Sequence, residues 1–329
     1  MEIVLAKVPG TRYPVSDPLS VYLPASVADH LDREGQKAIP GLARDAERIR
    51  DIEAAIGRIP TLHDMLVGDS RRWDDVPDGS VHLAVTSPPY WTLKRYPQNA
   101  DQLGAVSDYE DFLCQLDMVW RRVHRALVPG GRLVIVVGDV CVSRRVFGRH
   151  LVMPLHASIQ EHCRLLGFDN LAPIIWYKIA NARYEAGGGG FLGKPYEPNA
   201  IIKNDIEYIL FQRKPGGYRS PTAAARILST IPADKYQEWF QQVWTLPGAS
   251  TREHPAPYPL QLAERLVRMF SFVGDTVADP FMGTGTTNLA AALWGRNSLG
   301  VEVQPEYVDL ARRRFLAEAA ARDSSATLR

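Results

Sequence analysis

Two short segments of this 329-residue chain carry residue types that could do chemistry. The first, Asp279–Thr287, reads DPFMGTGTT and lies between a strand pattern and a helix pattern. Glycines at such a junction let the backbone approach a ligand closely, and a helix start presents free N–H groups. Seventeen residues after Gly285, at the end of the next predicted strand, Glu302 is placed to accept hydrogen bonds from ribose hydroxyls.

The glycine pattern limits which cofactor this segment could bind. A dinucleotide fingerprint needs a third glycine at position 288, where the chain has Asn288. The segment together with Glu302 therefore predicts a nucleoside cofactor without a pyrophosphate. The alternative is that Gly283 and Gly285 only make a tight turn and that Glu302 is a surface residue.

The second segment, Thr86–Trp91, reads TSPPYW and directly follows a predicted apolar strand. Successive prolines hold the chain extended, so the Ser87 hydroxyl and the Pro88 carbonyl can point in one direction as paired acceptors. Such a pair suits an exocyclic amino group, and Tyr90 and Trp91 offer flat faces for a planar base. Taken alone, the segment could equally be a structural turn.

Short apolar strands that alternate with amphipathic helices position both segments. From Thr61 onward this alternation predicts an α/β fold with a mostly parallel sheet. The predicted strands are Met65–Val67, Val81–Val85, Arg132–Val137, Ala172–Trp176, Ile206–Gln212, Thr276–Ala278 and Ser298–Val303. The predicted helices are Tyr109–Leu127, Leu151–Leu166, Pro259–Phe272, Thr286–Trp294 and Pro305–Glu318.

Two regions interrupt the alternation, and a third precedes it. Residues 1–60 are rich in proline, have helical patterns near Ser26–Glu34 and Leu42–Ile56, and form an extension of unknown role. Ala186–Tyr196, with four consecutive glycines, predicts a mobile loop, and Pro215–Pro247 contains a short aromatic helix pattern. The last two together predict an inserted recognition region.

Composition restricts the class of protein. Hydrophobic residues make up 46% and charged residues 23%, which is typical of a folded globular chain. No apolar run is long enough to span a bilayer and no signal peptide is evident, so we expect a cytoplasmic protein with no membrane association. Cys114, Cys141 and Cys163 lack CxxC spacing, which predicts free thiols and no metal site.

Charge is distributed unevenly although the formal net charge is only +1. Residues 121–149 contain seven arginines and a single acidic residue, Asp139. Basic clusters of this kind suit phosphate contacts, but a solvated helix face is an equal alternative on composition alone.

The two segments together resemble the amino-group DNA methyltransferases that use S-adenosylmethionine, in the beta order of motifs. The resemblance extends from about Met65 to Phe315 and includes GD at 68–69, SPPYW, the helix ending RRVHRALVPGGRL, IWYK at 175–178, HPAPYP at 254–259, DPFMGTGTT and GVEV. It implies a Rossmann-like methyltransferase fold: a mostly parallel seven-stranded sheet, helices on both faces and circularly permuted motifs. It also implies a catalytic half at 61–182, a target-recognition region at 183–245 and a cofactor half at 246–329.

The resemblance also implies roles for individual residues. Asp69 would contact the adenine of the cofactor, and Glu302 its ribose. The methionine end would lie against a set from the glycine loop and the preceding proline-rich motif: Asp279, Phe281, Gly283, Gly285, Thr286 and Pro259. The target base would be held by the catalytic motif and the strand end beyond it: Ser87, Pro88, Pro89, Tyr90, Trp91, Trp176 and Lys178. For Trp176 and Lys178, an ordinary core position at a strand end is an equal alternative.

Serine in the catalytic motif favours cytosine N4 over adenine N6 as the methyl acceptor in this family. The implied reaction is a direct in-line transfer to a base flipped out of duplex DNA, without a covalent intermediate. Arg144, Arg145 and Arg149 then become candidate phosphate contacts, and Lys194, Lys203, Arg213, Arg219 and Arg226 candidates for base readout. An adenine-specific enzyme of the same fold, or a non-catalytic DNA-binding protein, is the alternative; a nicotinamide oxidoreductase is disfavoured by Asn288.

The partners implied by the resemblance are double-stranded DNA and, as a candidate, a cognate restriction endonuclease. Monomer and homodimer both remain open at this stage.

Overall fold

The computed structural model describes residues 17–28, 35–91, 101–142, 147–149, 151–178, 205–249, 257–322 and 324–329. Within these ranges a nine-stranded sheet has the strand order β11-β1-β10-β9-β2-β3-β7-β6-β8. Its strands, with the two-stranded hairpin β4–β5, are β1 Thr61–Val67, β2 Val81–Thr86, β3 Leu127–Val137, β4 Val140–Val142, β5 Leu151–Met153, β6 Asp169–Tyr177, β7 Ile206–Arg213, β8 Val243–Thr245, β9 Thr276–Asp279, β10 Asn297–Glu302 and β11 Ala326–Leu328.

Parallel pairing dominates this sheet. Strand β7 alone among the described strands of the sheet runs antiparallel to its neighbours, β3 and β6. All seven predicted strands belong to the sheet, and β8 and β11 extend it at its two edges. The predicted fold class is confirmed.

Helices cover both faces of the sheet. The described helices are α1 Ala25–Ala28, α2 Ile39–Leu42, α3 Ala46–Ile56, α4 Tyr109–Ala126, α5 Leu155–Leu165, α6 Ala223–Leu228, α7 Ala233–Trp239, α8 Leu260–Phe270, α9 Thr286–Leu293 and α10 Pro305–Ala321. On β2, Ala84 packs in the cluster that contains α4 and α5, whereas Leu83 and Val85 pack in the cluster that contains α8 and α9. The alternation of side chains along a strand thus buries β2 on both faces.

Proline and a capping aspartate shift two of the predicted helices. The helix expected over Leu151–Leu166 begins only at Leu155, because Pro154 precedes it and residues 151–153 form β5 instead. The helix expected over Leu42–Ile56 is divided, and Asp45 caps its second part by accepting from the Glu47 and Arg48 N–H groups.

The N-terminal extension packs on helix α6, within the predicted recognition region. Val27, Ile52 and Ile56 lie in one apolar cluster with Ile227 and Leu228 of α6. The division of the chain into functional regions stays a prediction, and Ala186–Tyr196 lies outside the described residues. None of the described helices is long and apolar enough to span a membrane.

Candidate active site

A cleft opens at the carboxyl ends of four adjacent strands, β1, β10, β9 and β2. Segments that directly follow these strands line it, together with the residues after position 100 and the start of α10. The lining residues are Gly68, Asp69, Ser70, Ser87, Pro89, Asp101, Gln102, Leu103, Pro280, Phe281, Glu302, Val303 and Tyr307. Ligands in open α/β sheets bind at this edge, so the cleft brings both motif segments to one site.

The lining side chains show which kind of ligand suits the cleft. It contains three carboxylates, from Asp69, Asp101 and Glu302, and no lysine, arginine or histidine among its described lining residues. Carboxylates accept hydrogen bonds from amino and hydroxyl groups and attract cations, whereas they repel phosphate. This set of hydrogen-bond acceptors therefore fits a nucleoside with a positively charged sulfonium, as in S-adenosylmethionine, and does not fit a pyrophosphate.

Asp69 lies at the cleft where sequence predicts it, but an arginine already holds its carboxylate. Arg71 Nε donates to both Asp69 oxygens at 2.9 Å, and the Arg71 backbone N–H donates to Oδ1 at 2.9 Å. Arg71 also donates to the carboxylate of Asp101, which lines the cleft, and to the side chain of Gln115 on helix α4. The orientation of Asp69 is thus fixed before a ligand binds.

Glu302 connects the end of β10 to the glycine loop. Its Oε2 accepts from the Gly283 N–H at 2.9 Å, and its Oε1 accepts from the Gln304 N–H at 3.0 Å. Burial raises the pKa of this carboxyl, and the two backbone N–H groups oppose that shift. Each oxygen keeps a second lone pair, so Glu302 can still accept from ribose hydroxyls at the cleft.

Asp279, predicted to contact the cofactor, is instead surrounded by protein. It is 1% exposed, and its Oδ1 accepts from the Thr86 hydroxyl at 2.6 Å and from the Phe281 N–H at 3.0 Å. The hydroxyls of Thr287 and Tyr258 lie 2.8 and 3.2 Å from Oδ2. Burial is the main reason that the pKa of Asp279 rises to about 6. Asp279 therefore ties the catalytic strand end to the glycine loop.

The glycine loop also serves the protein more than the cleft. Gly285 has a φ of 75°, and a β-carbon added there would lie 3.0 Å from Ala311 Cβ. Its N–H donates to the Met282 carbonyl at 2.9 Å, and the Thr286 hydroxyl accepts from Arg314 at 2.9 Å. Glycine is therefore needed at position 285 for the turn and for packing on α10, and the close approach of Gly285 to a ligand stays a prediction.

Phe281 lines the cleft together with Pro280, and its ring packs edge-on against Trp120 with 6.1 Å between the ring centroids. Pro259, predicted to cover the methionine end, precedes the first residue of α8. The neighbouring Tyr258 is buried and bonds Thr287 as well as Asp279. The proline-rich motif is thus anchored to the glycine loop through Tyr258.

Ser87 and Tyr90 supply the polar groups of the catalytic loop. The Ser87 hydroxyl is directed at the Tyr90 hydroxyl, 3.3 Å away, so the serine proton has an acceptor within the protein. Ser87 is partly exposed, whereas Pro88, Pro89 and Tyr90 are buried; Ser87 and Pro89 line the cleft. With its proton directed inward, the Ser87 oxygen keeps lone pairs to accept from an amino group.

Trp91 and Trp176 do not agree with the prediction that they contact the target base. Trp91 is 3% exposed, adopts a φ of 44° and packs edge-on against Tyr109 at 5.2 Å. Trp176 is fully buried, and its Nε1 donates to the Leu246 carbonyl at 2.9 Å. Both rings belong to the core, as the alternative for Trp176 proposed.

Lys178 directly follows β6, and the sequence analysis did not identify its partner. It forms an ion pair with Glu207 of β7, and its ammonium lies 4.5 Å from the centroid of the Trp176 ring. The signal that could have found Glu207 is an acidic residue at the second position of a predicted apolar strand, since carboxylates are seldom buried unless paired.

A second pair missed by the sequence analysis follows β3. His156 Nδ1 lies 2.6 Å from Asp139 Oδ1, and the His156 ring stacks on Tyr208 with 3.7 Å between centroids. The pair connects the end of β3 to the first turn of α5 and so fixes the start of α5, which begins at Leu155.

The predicted phosphate contacts are only partly described. Arg149 is exposed, whereas Arg144 and Arg145 lie outside the described residues, as do Lys194 and Lys203. Two of the candidates for base readout are committed to carboxylates within the protein: Arg213 bonds Asp169, and Arg219 bonds Asp275. Arg226 bonds Gln36 of the N-terminal extension.

Comparison with known proteins agrees with this geometry. The sequence profile of the DNA methylase family matches residues 81–313. The type II methyltransferase M.MjaI of Methanocaldococcus jannaschii is 36% identical over 275 residues, which cover 74% of this chain and 88% of that protein. M.MthZI of Methanothermobacter thermautotrophicus is 35% identical over 278 residues, covering 78% of this chain and 77% of the relative.

Solved structures extend the comparison. A protein described as a DNA modification methylase of Thermus thermophilus, in complex with S-adenosyl-L-methionine, superposes with a TM-score of 0.67 at 56% identity. The match covers 82% of this chain and 98% of that one. The cytosine-N4-specific PvuII DNA methyltransferase shares the fold, with a TM-score of 0.58 at 19% identity over 83% of this chain and 98% of that one. The chain therefore belongs to the N6/N4 DNA methylase family.

Proposed function

We propose that this S-adenosylmethionine-dependent DNA methyltransferase transfers the methyl group to the exocyclic N4 amino group of cytosine. The observation that carries the proposal is the Ser87 hydroxyl, which lines the same cleft as Asp69, Phe281 and Glu302 and directs its own proton at Tyr90. Two observations support S-adenosylmethionine as the cofactor. A structural neighbour is described in complex with S-adenosyl-L-methionine, and the described side chains that line the cleft are neutral or acidic.

The cofactor supplies, when bound, an electrophilic methyl group on a sulfonium. The residues of this chain bind and orient the two reactants. Asp69 and Glu302 hold the nucleoside end through carboxylate oxygens, and Phe281 lines the cleft between them and Ser87. In-line transfer requires the attacking nitrogen, the methyl carbon and the sulfur to lie on one line. Residues that hold both reactants in this alignment make the transfer effectively unimolecular.

Ser87 and the Pro88 carbonyl accept the two N–H groups of the target amine. These contacts favour a more tetrahedral nitrogen whose lone pair is available for attack. The nitrogen–carbon bond forms as the carbon–sulfur bond breaks, the sulfur leaves as a neutral thioether, and the methylated nitrogen then releases one proton to solvent. The amine needs no nucleophilic cysteine, which agrees with a buried Cys163 whose thiol pKa is raised by burial. In duplex DNA the amino group is engaged in base pairing, so the cytosine must be flipped out at a cost of a few kcal/mol.

Serine in the catalytic motif is what favours cytosine, and the cytosine-N4-specific PvuII enzyme has the same fold. Sequencing with modified-base detection of DNA from a host that expresses the protein tests the proposal and identifies the recognised site. We expect N4-methylcytosine at one sequence context. N6-methyladenine at a defined site would leave the family and the cleft unchanged and overturn the choice of base.

A further inference from the structure

A lysine and a glutamate form a nearly buried ion pair at the sheet edge beside the catalytic loop. Lys178 follows β6, and Glu207 is the second residue of β7, directly opposite Trp176. Their side chains are only 16% and 11% exposed. Removing two charges from water can cost as much as their attraction returns, so stability alone does not account for a pair at this position.

Gly138 connects this pair to the catalytic loop. A β-carbon added at Gly138 would lie 3.2 Å from Glu207 Cγ, 3.7 Å from Glu207 Oε1 and 3.7 Å from Tyr90 Cε2. The Glu207 carboxylate and the Tyr90 ring therefore pack against the same α-carbon. The Tyr90 hydroxyl in turn meets the hydroxyl of Ser87, which lines the cleft, so one side chain, Tyr90, separates the ion pair from Ser87.

The lysine ammonium has a fixed position. Glu207 accepts from it on one side, and the Trp176 ring lies 4.5 Å away on another. Trp176 cannot turn, because it is fully buried and bonds the Leu246 carbonyl. An ammonium has three N–H donors, and among the described residues only Glu207 accepts a hydrogen bond from Lys178, so a further donor is available to a ligand.

We propose that Glu207 is a positioning residue that holds the Lys178 ammonium toward the O2 carbonyl of the target cytosine. This inference rests on the proposed function and adds a donor to the acceptors already placed at Ser87 and Pro88. Cytosine carries a carbonyl at O2, whereas adenine has a C–H at the corresponding edge. A buried donor left unpaired by adenine would therefore disfavour it, as sites built for hydrogen bonds reject analogues that lack them.

Glu207→Gln is the first test, because it keeps the shape and one acceptor but removes the charge. We expect KM for the recognised duplex to rise about tenfold, with the dissociation constant for S-adenosylmethionine and the melting temperature within error of the parent. Asp169→Asn is the matched control: Asp169 pairs with Arg213 at 2.8 Å across the same two strands, at their other end. This control should leave KM unchanged. An unchanged KM in Glu207→Gln would overturn the proposal.

A charge exchange separates positioning from a purely structural role. Lys178→Glu and Glu207→Lys should each lower the melting temperature and methylation, and the double variant should restore the ion pair. We expect the double variant to regain the melting temperature but to stay at least tenfold below the parent in kcat/KM, because the ammonium then lies on the wrong strand. Full recovery of methylation would show a structural pair only and would contradict the proposal.

Failure of the proposed function gives a different result. If the parent produces N6-methyladenine, the choice of cytosine is wrong whatever the variants do. If the parent produces N4-methylcytosine and Glu207→Gln keeps the parent KM, only the role of Glu207 is wrong. Should the single charge-reversal variants fail to fold, Lys178→Met and Lys178→Arg replace them: recovery of KM by arginine but not by methionine supports the proposal, and equal KM values contradict it.

Discussion

The catalytic loop and the cofactor loop follow neighbouring strands, yet they direct their polar side chains in opposite directions. In the catalytic loop, Ser87 faces the cleft and directs its proton back to Tyr90. In the cofactor loop, the side chains of Asp279 and Thr287 face inward and bond to other parts of the protein. A motif residue that is expected to contact a ligand can therefore position a neighbouring group instead.

Asp279 shows how the two loops depend on each other. Through Thr86 it fixes the residue before Ser87, and through Phe281 it fixes the loop residue that lines the cleft. One buried carboxylate thus sets the separation between Ser87 and Phe281, which line the same cleft. The following variants test this division between a loop that contacts ligands and a loop that contacts protein.

Ser87→Ala should have the largest effect. It removes an oriented acceptor from a dry site, which is worth on the order of 3 kcal/mol, or about a hundredfold in kcat. The affinity for S-adenosylmethionine, measured by calorimetric titration, should stay within about twofold because the carboxylates and Phe281 are untouched. Ser80→Ala, which removes a hydroxyl bonded to the Pro77 carbonyl, is the control and should keep the parent rate. A rate loss matched by an equal loss of cofactor affinity would contradict the division.

Asp279→Asn should change how stability depends on pH. Because the folded pKa of about 6 lies above the ordinary 3.8, the parent is stabilised below about pH 4 and loses that contribution as the pH rises through 6. The variant lacks this loss, so its free energy of unfolding relative to the parent should increase from pH 4 to 7 by up to about 3 kcal/mol. Urea unfolding measures the difference. Asp234→Asn, on a side chain 73% exposed, should show no such trend; a trend of opposite sign in Asp279→Asn would mean that its pKa is depressed.

Gly285→Ala tests whether the glycine loop is shaped by packing or by a ligand. The left-handed backbone costs alanine about 1–2 kcal/mol, and the contact with Ala311 adds to it. Gly79→Ala is the matched control, with a φ of 62° and nothing within 4 Å of an added β-carbon. Denaturant unfolding should show a greater loss for Gly285 than for Gly79. Loss of cofactor binding in a Gly285→Ala protein as stable as the parent would restore the role in ligand contact.

Trp91→Phe should have the smallest effect. The Trp91 indole nitrogen is buried and has no hydrogen-bond partner among the described residues, so its removal relieves an unsatisfied group while some packing is lost. We expect a net change in unfolding free energy below about 1 kcal/mol and a methylation rate within about threefold of the parent. A large rise in KM for DNA with unchanged stability would return Trp91 to the base pocket.

Much of the fold is predictable from the sequence because hydrophobic alternation sets the strands that carry the site. The strand before Ser87 and the strand before Asp279 lie within one residue of their predicted ends. Edge strands of three residues, such as β8 and β11, were missed because so short a pattern has no period to detect. The hairpin β4–β5 was missed because Pro154 ends a pattern that otherwise suits a helix.

The site could be predicted in location but not in the direction of each side chain. Positions after predicted strands placed Ser87 and Glu302 at one edge of the sheet, the family resemblance added Asp69, and the structure puts all three in one cleft. It could not show that Asp279 bonds Thr86, because residues 193 positions apart meet only in the folded chain. Glu207 was missed for the same reason, since its meaning comes from Lys178 and Gly138 on other parts of the chain.

The central claim is that the Ser87 site methylates the amino group of cytosine. The most direct measurement uses the purified protein, S-adenosylmethionine labelled in the methyl group and duplex DNA, followed by digestion to nucleosides and chromatography with mass detection. We predict that the label appears in N4-methylcytosine with the parent and falls about a hundredfold in rate with Ser87→Ala. Label in N6-methyladenine, or in N4-methylcytosine at the parent rate with Ser87→Ala, would contradict the account.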